Sequence, residues 1–233
     1  MRTLPTLCYN PEMIFLGIHL ACEPYSIGII SDEGGVFKQA ESSVSGTHTF
    51  GENLFLEIDA LCKRVNVSAQ SLNAVCLTQG PGSYTGLRIG ITTAKSISQT
   101  LGIPIYPIST LESQMLPFQT MGGVYCSVTP ARKNEFNAAL FASDKGIIKR
   151  LTPDFIWNKA VMKKKLSEIH GRFTVIGSIS EDFSRICKKN PNIHIISCSI
   201  RGLDLAREAK KRFLKGAKGL YQDVTPLYSY GAV

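Results

Sequence analysis

The stretch Gly80–Gly90, which reads GPGSYTGLRIG, is where this sequence gathers residue types that could cradle an anion. Backbone N–H groups at a strand-to-helix turn attract phosphate when glycines let a ligand come close. Two phosphate-loop templates fail. A G-x-x-x-x-G-K-[ST] loop needs Lys after its second glycine, whereas Gly86 is followed by Leu87 and Arg88 and lies one residue too far from Gly80. The dinucleotide pattern G-x-G-x-x-G fails because Ser83, Tyr84 and Thr85 stand between Gly82 and Gly86. Gly80, Gly82 and Ser83 stay as a candidate anion-binding loop, set against the plainer reading of a tight turn that opens a helix.

Other chemistry is thinner. His19, His48, His170 and His194 show neither i, i+4 spacing nor a pairing with nearby carboxylates, so no metal template is met. Seven cysteines (8, 22, 62, 76, 126, 187, 198) are odd in number, scattered and without a C-x-x-C pair, which suits small apolar side chains in a reducing compartment. Cys22 or Cys76 as a nucleophile would need a His/Asn partner and a depressed pKa. Charge is divided unevenly. Residues 1–100 hold six basic and eight acidic side chains, net −2, while residues 101–233 carry net +10 of the overall +8. Lys163, Lys164, Lys165 and Lys210, Lys211, Arg212 are therefore the candidates for contact with phosphates, the alternative being ordinary solvated helix faces.

These residues need elements to hold them. The 233 residues, 44% hydrophobic and 19% charged, describe a globular chain of one large domain or two lobes. Ile14–Ile18, Ser26–Ser31 and Val36–Ala40 are short β-prone runs separated by turns, which predicts an antiparallel meander. Phe50, Leu54, Ile58, Leu61 and Val65 then recur at helical spacing, with Thr47 or Thr49 as N-cap. A buried strand over Ala74–Thr78 leads through the glycine-rich turn to a helix from about Thr85 to Leu101 that stops at Gly102. That order predicts a mixed sheet covered by helices. Beyond Pro107 the pattern predicts a hairpin (Val124–Thr129 and Glu135–Ala142, extended by Gly146–Leu151), a helix over Asn158–His170 and short strands at Phe173–Gly177 and Ile193–Ser197. A basic amphipathic helix over Gly202–Leu214 follows. No apolar run approaches the roughly 18–20 residues that cross a bilayer, so no membrane is expected.

On the second helix Gly86, Gly90, Ala94 and Ser98 lie four apart and make a ridge of tiny side chains. Glycine inside a helix costs about 1 kcal/mol relative to alanine, so something must compensate. A smooth ridge admits a close neighbour. That neighbour is either the chain's own first helix or sheet, or a helix of another subunit.

Leu77 to Ser96 (LTQGPGSYTGLRIGITTAKS), continued by Leu101 to Glu112 (LGIPIYPISTLE), is similar to the signature of the bacterial TsaB (YeaZ) family. Weaker likeness covers Met13–Val65, the hairpin at Ala131-Arg132, and Val224–Tyr228. The resemblance implies an actin-like ATPase (ASKHA) fold of two ribonuclease-H-like lobes with mixed sheets. It also implies a non-catalytic scaffold subunit that docks the catalytic paralogue TsaD and works with the ATPase TsaE. That machinery transfers a threonylcarbamoyl group to adenosine 37 of tRNA. The implied interface lies on the two helices of the first lobe, through Phe50, Leu54, Ile58, Thr85, Gly86, Arg88, Gly90, Ala94 and Ser98, and could equally form a homodimer. Expected divisions are a loose leader over 1–12, a first lobe over 13–107, a second over 108–200, and a C-terminal helix and tail over 201–233 packing back on the first. Met13 is an alternative start, and the expected location is the cytoplasm.

Three departures bear on chemistry. The family's first strand ends in Asp, where this chain has His19; its Asp-Ala-Arg turn reads Pro130-Ala131-Arg132; and the Arg after the last Tyr is Ser229. Hard cations prefer oxygen ligands, so a neutral imidazole at that turn argues against independent ATP hydrolysis. The chain is therefore expected to hold no metal, catalytic residue or cofactor of its own, any nucleotide or Mg²⁺ belonging to a subunit boundary. An independent kinase or ATPase, a glycoprotease-like peptidase and a self-associating regulatory module are the alternatives.

Overall fold

The structure, a computed structural model, describes residues 12–33, 35–46, 53–179 and 181–229. Most of the expected leader, the N-cap candidates Thr47 and Thr49, His48 and Phe50 lie outside them.

The chain opens with an antiparallel meander of β1 (Met13–His19), β2 (Tyr25–Glu33) and β3 (Val36–Val44), followed by α1 (Leu54–Val65), β4 (Leu72–Thr78), α2 (Tyr84–Leu101) and β5 (Ile105–Ile108). The sheet order is β3-β2-β1-β4-β5, with β1 parallel to β4 and β4 parallel to β5. Central β1 is apolar on both faces because both are covered, whereas edge strand β3 is largely accessible. In α1, Leu54, Ile58, Leu61, Cys62 and Val65 are buried at helical spacing, and Asn66 ends the helix in the left-handed region at φ 58°. Ser83 caps α2 by accepting from the Gly86 N–H at 3.2 Å, and Gly102 at φ 68° stops it.

After a single turn α3 (Thr110–Ser113) come β6 (Gly123–Pro130), β7 (Glu135–Asp144), β8 (Ile147–Arg150), β9 (Phe155–Asn158), α4 (Lys159–Ser167), β10 (Phe173–Gly177), α5 (Glu181–Cys187), β11 (Ile193–Ser197) and α6 (Gly202–Leu214). The second sheet runs β11-β10-β6-β7-β8, with β9 also paired to β7. β6 and β7 are antiparallel, and β10 is parallel to both β6 and β11. Read from the opposite edge this repeats the first sheet: a hairpin edge, a central strand, then two parallel strands. The molecule is thus a pair of ribonuclease-H-like mixed α/β lobes in an actin-like arrangement. β9 and α5 have no counterpart in the sequence reading; four and seven residues are too few to display a period.

The first sheet is covered on both sides. α1 and α2 bury Ile58, Leu61, Ile91 and Ala94 against Ile14, Leu16, Ile18 and Ile29. On the other face α6 lays Leu205, Ala206 and Ala209 against Phe15, Ala74 and Cys76. Gly17 and Gly28 face each other across the β1–β2 ladder. A Cβ on Gly17 would lie 2.0 Å from the Gly202 carbonyl oxygen, and one on Gly28 2.3 Å from the Leu203 nitrogen. Only a glycine pair leaves the trough into which the N-terminus of α6 sinks. The second sheet is covered by α4 and α5 through Met162, Leu166, Phe183 and Cys187.

Candidate functional site

Four places carry the residues singled out by sequence: the loop before α2, the outer face of α1 and α2, the cleft at the end of β1, and the lysine-rich helices.

The loop is fastened to its own fold. The Ser83 N–H donates to the Ala21 carbonyl at 2.6 Å, the Thr110 N–H to the Gly80 carbonyl at 2.7 Å, and the Leu227 N–H to the Gln79 carbonyl at 2.7 Å. Gly80, at φ 123°, has the Leu227 carbonyl oxygen 2.1 Å from where a Cβ would sit, and Gly82 has that of Ala21 at 2.2 Å. This corrects the anion reading of Gly80, Gly82 and Ser83. The glycines make room for carbonyl oxygens, which repel anions, and the N–H groups of Ser83 and Gly86 are already engaged.

The small-residue ridge is corrected in the same sense. Gly86, Gly90, Ala94 and Ser98 are all buried on the inner side of α2. A Cβ on Gly86 would meet the Leu20 carbonyl oxygen at 2.0 Å, and Gly90 looks onto Leu20 and Ile18 at 3.6 and 3.7 Å. Their neighbour is the chain's own β1 and the turn after it, not a second subunit. Leu54 and Ile58 are buried too. Of the expected interface set, Thr85 and Arg88 are exposed. Arg88 stacks over the Tyr84 ring at 4.0 Å and donates from Nε to the Tyr228 hydroxyl at 3.2 Å, while the two tyrosine rings stack at 5.3 Å.

What the outer face does present was missed. Phe55 is 57% and Leu56 69% exposed, beside a groove of about 300 Å³ between α1 and α2 lined by Phe55, Ile58, Leu72, Ile97 and Leu101. The signal was present: Phe55 and Leu56 fall off the Leu54/Ile58/Leu61/Val65 stripe, on the side of the helix that should be polar.

Between the lobes lies a cleft of about 860 Å³, bordered by Cys22, Glu23, Ser83, Arg132, Asn137 and Ser178. Behind it His19 is fully buried, its Nδ1 3.1 Å from Thr78 Oγ1 and its Nε2 3.5 Å from Cys22 Sγ. Burial presses its pKa down to about 3. Burial also raises Cys22 above the usual thiol range and pushes Cys76 up to about 12. Both members of the Cys22–His19 pair are thus neutral near pH 7, which supplies neither a thiolate nucleophile nor an anionic metal ligand. A metal-bound nucleotide, the ligand its fold would suggest, does not fit these residues: among the described residues Glu23 is the one carboxylate on the cleft wall, and it accepts the Gly46 N–H at 3.1 Å. Among the described residues no three His, Cys, Asp or Glu side chains are grouped to hold a metal.

The two basic clusters differ. Lys163, Lys164 and Lys165 are exposed. Lys210 is drawn to Asp32 at 2.5 Å and over the Phe37 ring at 4.3 Å, Lys211 to Glu208 at 3.6 Å, and Arg212 to Glu208 at 2.8 Å and the Pro107 carbonyl at 3.1 Å. This corrects the phosphate-contact expectation for Lys210, Lys211 and Arg212, whose charges are spent inside the chain.

A family model for TsaD, tRNA N6-adenosine threonylcarbamoyltransferase, matches residues 41–211. Over 97 residues the chain is 31% identical to the tRNA threonylcarbamoyladenosine biosynthesis protein TsaB of Bacillus subtilis (strain 168), covering 42% of each protein. Over 67 residues it is 37% identical to tRNA N6-adenosine threonylcarbamoyltransferase of Rhizobium johnstonii, covering 29% of this chain and 18% of that one. The matched stretches span less than half the length of these curated relatives. YeaZ from Pseudomonas aeruginosa shares the fold with a TM-score of 0.72 at 14% identity, over 93% of this chain and 99% of that one. With the family match running from β3 into α6, the chain belongs to the tRNA N6-adenosine threonylcarbamoyltransferase (TsaD) family, and within its matched stretch it is similar to TsaB of Bacillus subtilis.

Proposed function

We propose that this chain is the non-catalytic scaffold subunit of a tRNA N6-threonylcarbamoyladenosine transferase complex in the cytoplasm, docking and supporting the catalytic paralogue TsaD, with TsaE and tRNA joining through the complex. The observation that carries the proposal is the exposed apolar pair Phe55 and Leu56 on α1, beside the groove between α1 and α2. A helix that keeps Phe55 and Leu56 in water while its other face is fully packed is built for a second helical surface. The non-catalytic part is supported by the cleft, where a buried neutral imidazole stands in place of a cation-binding carboxylate. Any nucleotide or Mg²⁺ then belongs to the boundary with the partner. The same face favours one second reading, self-association in the absence of TsaD.

The test is co-purification with the TsaD protein of the same organism. Phe55→Asp with Leu56→Asp should reduce recovery at least tenfold while leaving the circular dichroism melt of the isolated chain within a few degrees, and depletion of the chain should remove threonylcarbamoyladenosine from tRNA. Undiminished co-purification, or modified nucleoside at normal levels after depletion, overturns the proposal. Sedimentation of the isolated chain separates the second reading, since the double variant should be monomeric.

A further inference from the structure

We infer that the α4–α5 edge of the second lobe is a docking surface for an RNA phosphate backbone. The inference rests on the reading above for its choice of RNA and goes beyond it by assigning the contact to particular side chains.

Residues 159–194 hold eight Lys and Arg against three Asp and Glu. Lys163, Lys164 and Lys165 on α4, Lys188 and Lys189 after α5, and Arg172 between them are all exposed. None of these six is paired to an acid among the described residues, in contrast to Arg185, which pairs with Glu181. Helix C-termini attract lysines to their free carbonyls, which is the ordinary reason for such clusters. Here that duty is already filled. The Asn190 side-chain amide donates to the Leu166 and Ile169 carbonyls at 2.8 and 2.9 Å, and the Asn192 amide to Ile169 at 3.3 Å. The ammonium groups are left with water.

Geometry gathers them. Lys163 and Lys164 from α4 and Lys189 from beyond α5 rim a hollow of about 530 Å³, with His170 on its edge. A cationic concavity between two helix ends matches the spacing of a polyanion better than a flat spread of charge. The chemistry favours nucleic acid over protein. Protein interfaces are depleted in lysine and anchored by large apolar or aromatic groups. Among the described residues of α4, α5 and the turns after them, Val161, at 44%, is the one large apolar side chain exposed. Point-charge lysines without an anchor suit phosphates, whose binding is driven by counterion release.

The test is a salt titration of binding between the full chain, alone and in complex with TsaD, and an unmodified tRNA transcript. The triple variant Lys163→Glu, Lys164→Glu, Lys189→Glu should bind at least tenfold more weakly near 0.1 M salt, its log–log salt slope shallower by about 2, roughly 0.7 per lost phosphate contact on single-stranded RNA. The control Lys215→Glu, Lys218→Glu, on exposed positions after α6, should stay within twofold of the parent. Unchanged affinity and slope in a folded triple variant overturns the inference. So does an equal loss in the control, which would reduce the effect to net charge. Binding of poly-glutamate with the same affinity as tRNA would assign the surface to an acidic protein instead and also overturns it. Because α4 and α5 lie on the second sheet, the triple variant should still co-purify with TsaD. If no version of the chain does so, the proposed function fails irrespective of the RNA result.

Discussion

On α6, Arg207 pairs with Asp204 at 2.8 Å, Lys210 with Asp32 at 2.5 Å, and Lys211 and Arg212 with Glu208. On α4, Lys163, Lys164 and Lys165 reach no acid among the described residues. The two runs look alike in sequence, since each places three consecutive cations on a short helix with an apolar stripe. What separates them is the other face of each helix. α6 sinks into the Gly17–Gly28 trough, which brings its flanks down onto the acids and carbonyls of the first sheet. α4 rests on the second sheet by a narrow stripe, Met162 and Leu166, which leaves its flanks in solvent. A basic run is structural or available according to how deeply its helix is seated.

The largest expected effect removes that seating. Gly28→Val should cost about 3 kcal/mol or more, since overpacking typically costs 1–3 kcal/mol and here the obstacle is backbone. A urea melt reads it, and a wild-type midpoint would show that α6 does not need the trough. Next comes Lys210→Met, which strands Asp32, only 13% exposed, and should cost about 1 kcal/mol at pH 7. Lys210 beside Asp32 holds its carboxyl below the usual carboxylate range. The pair's contribution is therefore complete above the unfolded carboxylate value of about 4 and lost as pH falls through the lower folded value. The difference between variant and parent should shrink on acidification below about pH 4, as measured by denaturant unfolding at pH 7 and pH 3. The comparison must be a difference, because His19, neutral in the fold down to about pH 3, takes a proton more readily when unfolded and destabilises both proteins in acid. The smallest effect is on α4. Lys163→Ala, Lys164→Ala and Lys165→Ala should each change stability by less than about 0.5 kcal/mol, because no acid among the described residues pairs with those charges. A loss comparable to that of Lys210→Met would erase the contrast.

Much of the first lobe was legible from its residues. The meander follows from β-prone runs between turns, α1 from its 3–4 spacing, and the end of α2 from Gly102 before Pro104, because each is governed by contacts within a few residues. The ridge Gly86, Gly90, Ala94, Ser98 was equally visible, but its neighbour was not. Small side chains announce close approach without saying by what, and here it is Leu20 and Ile18, distant in sequence. The proposed docking face went the other way: the exposed Phe55 and Leu56 break the α1 stripe in plain view.

By itself the sequence determined the element order of the first lobe, the uneven charge and the family, all properties carried by residue identity and local spacing. Only the tertiary structure decided that the second sheet repeats the first, that Gly17 and Gly28 face each other to admit α6, and which of two basic runs is spent. Those outcomes depend on contacts between residues far apart in the chain, 178 positions for Asp32 and Lys210, and a sequence records the partners of such contacts without recording that they meet.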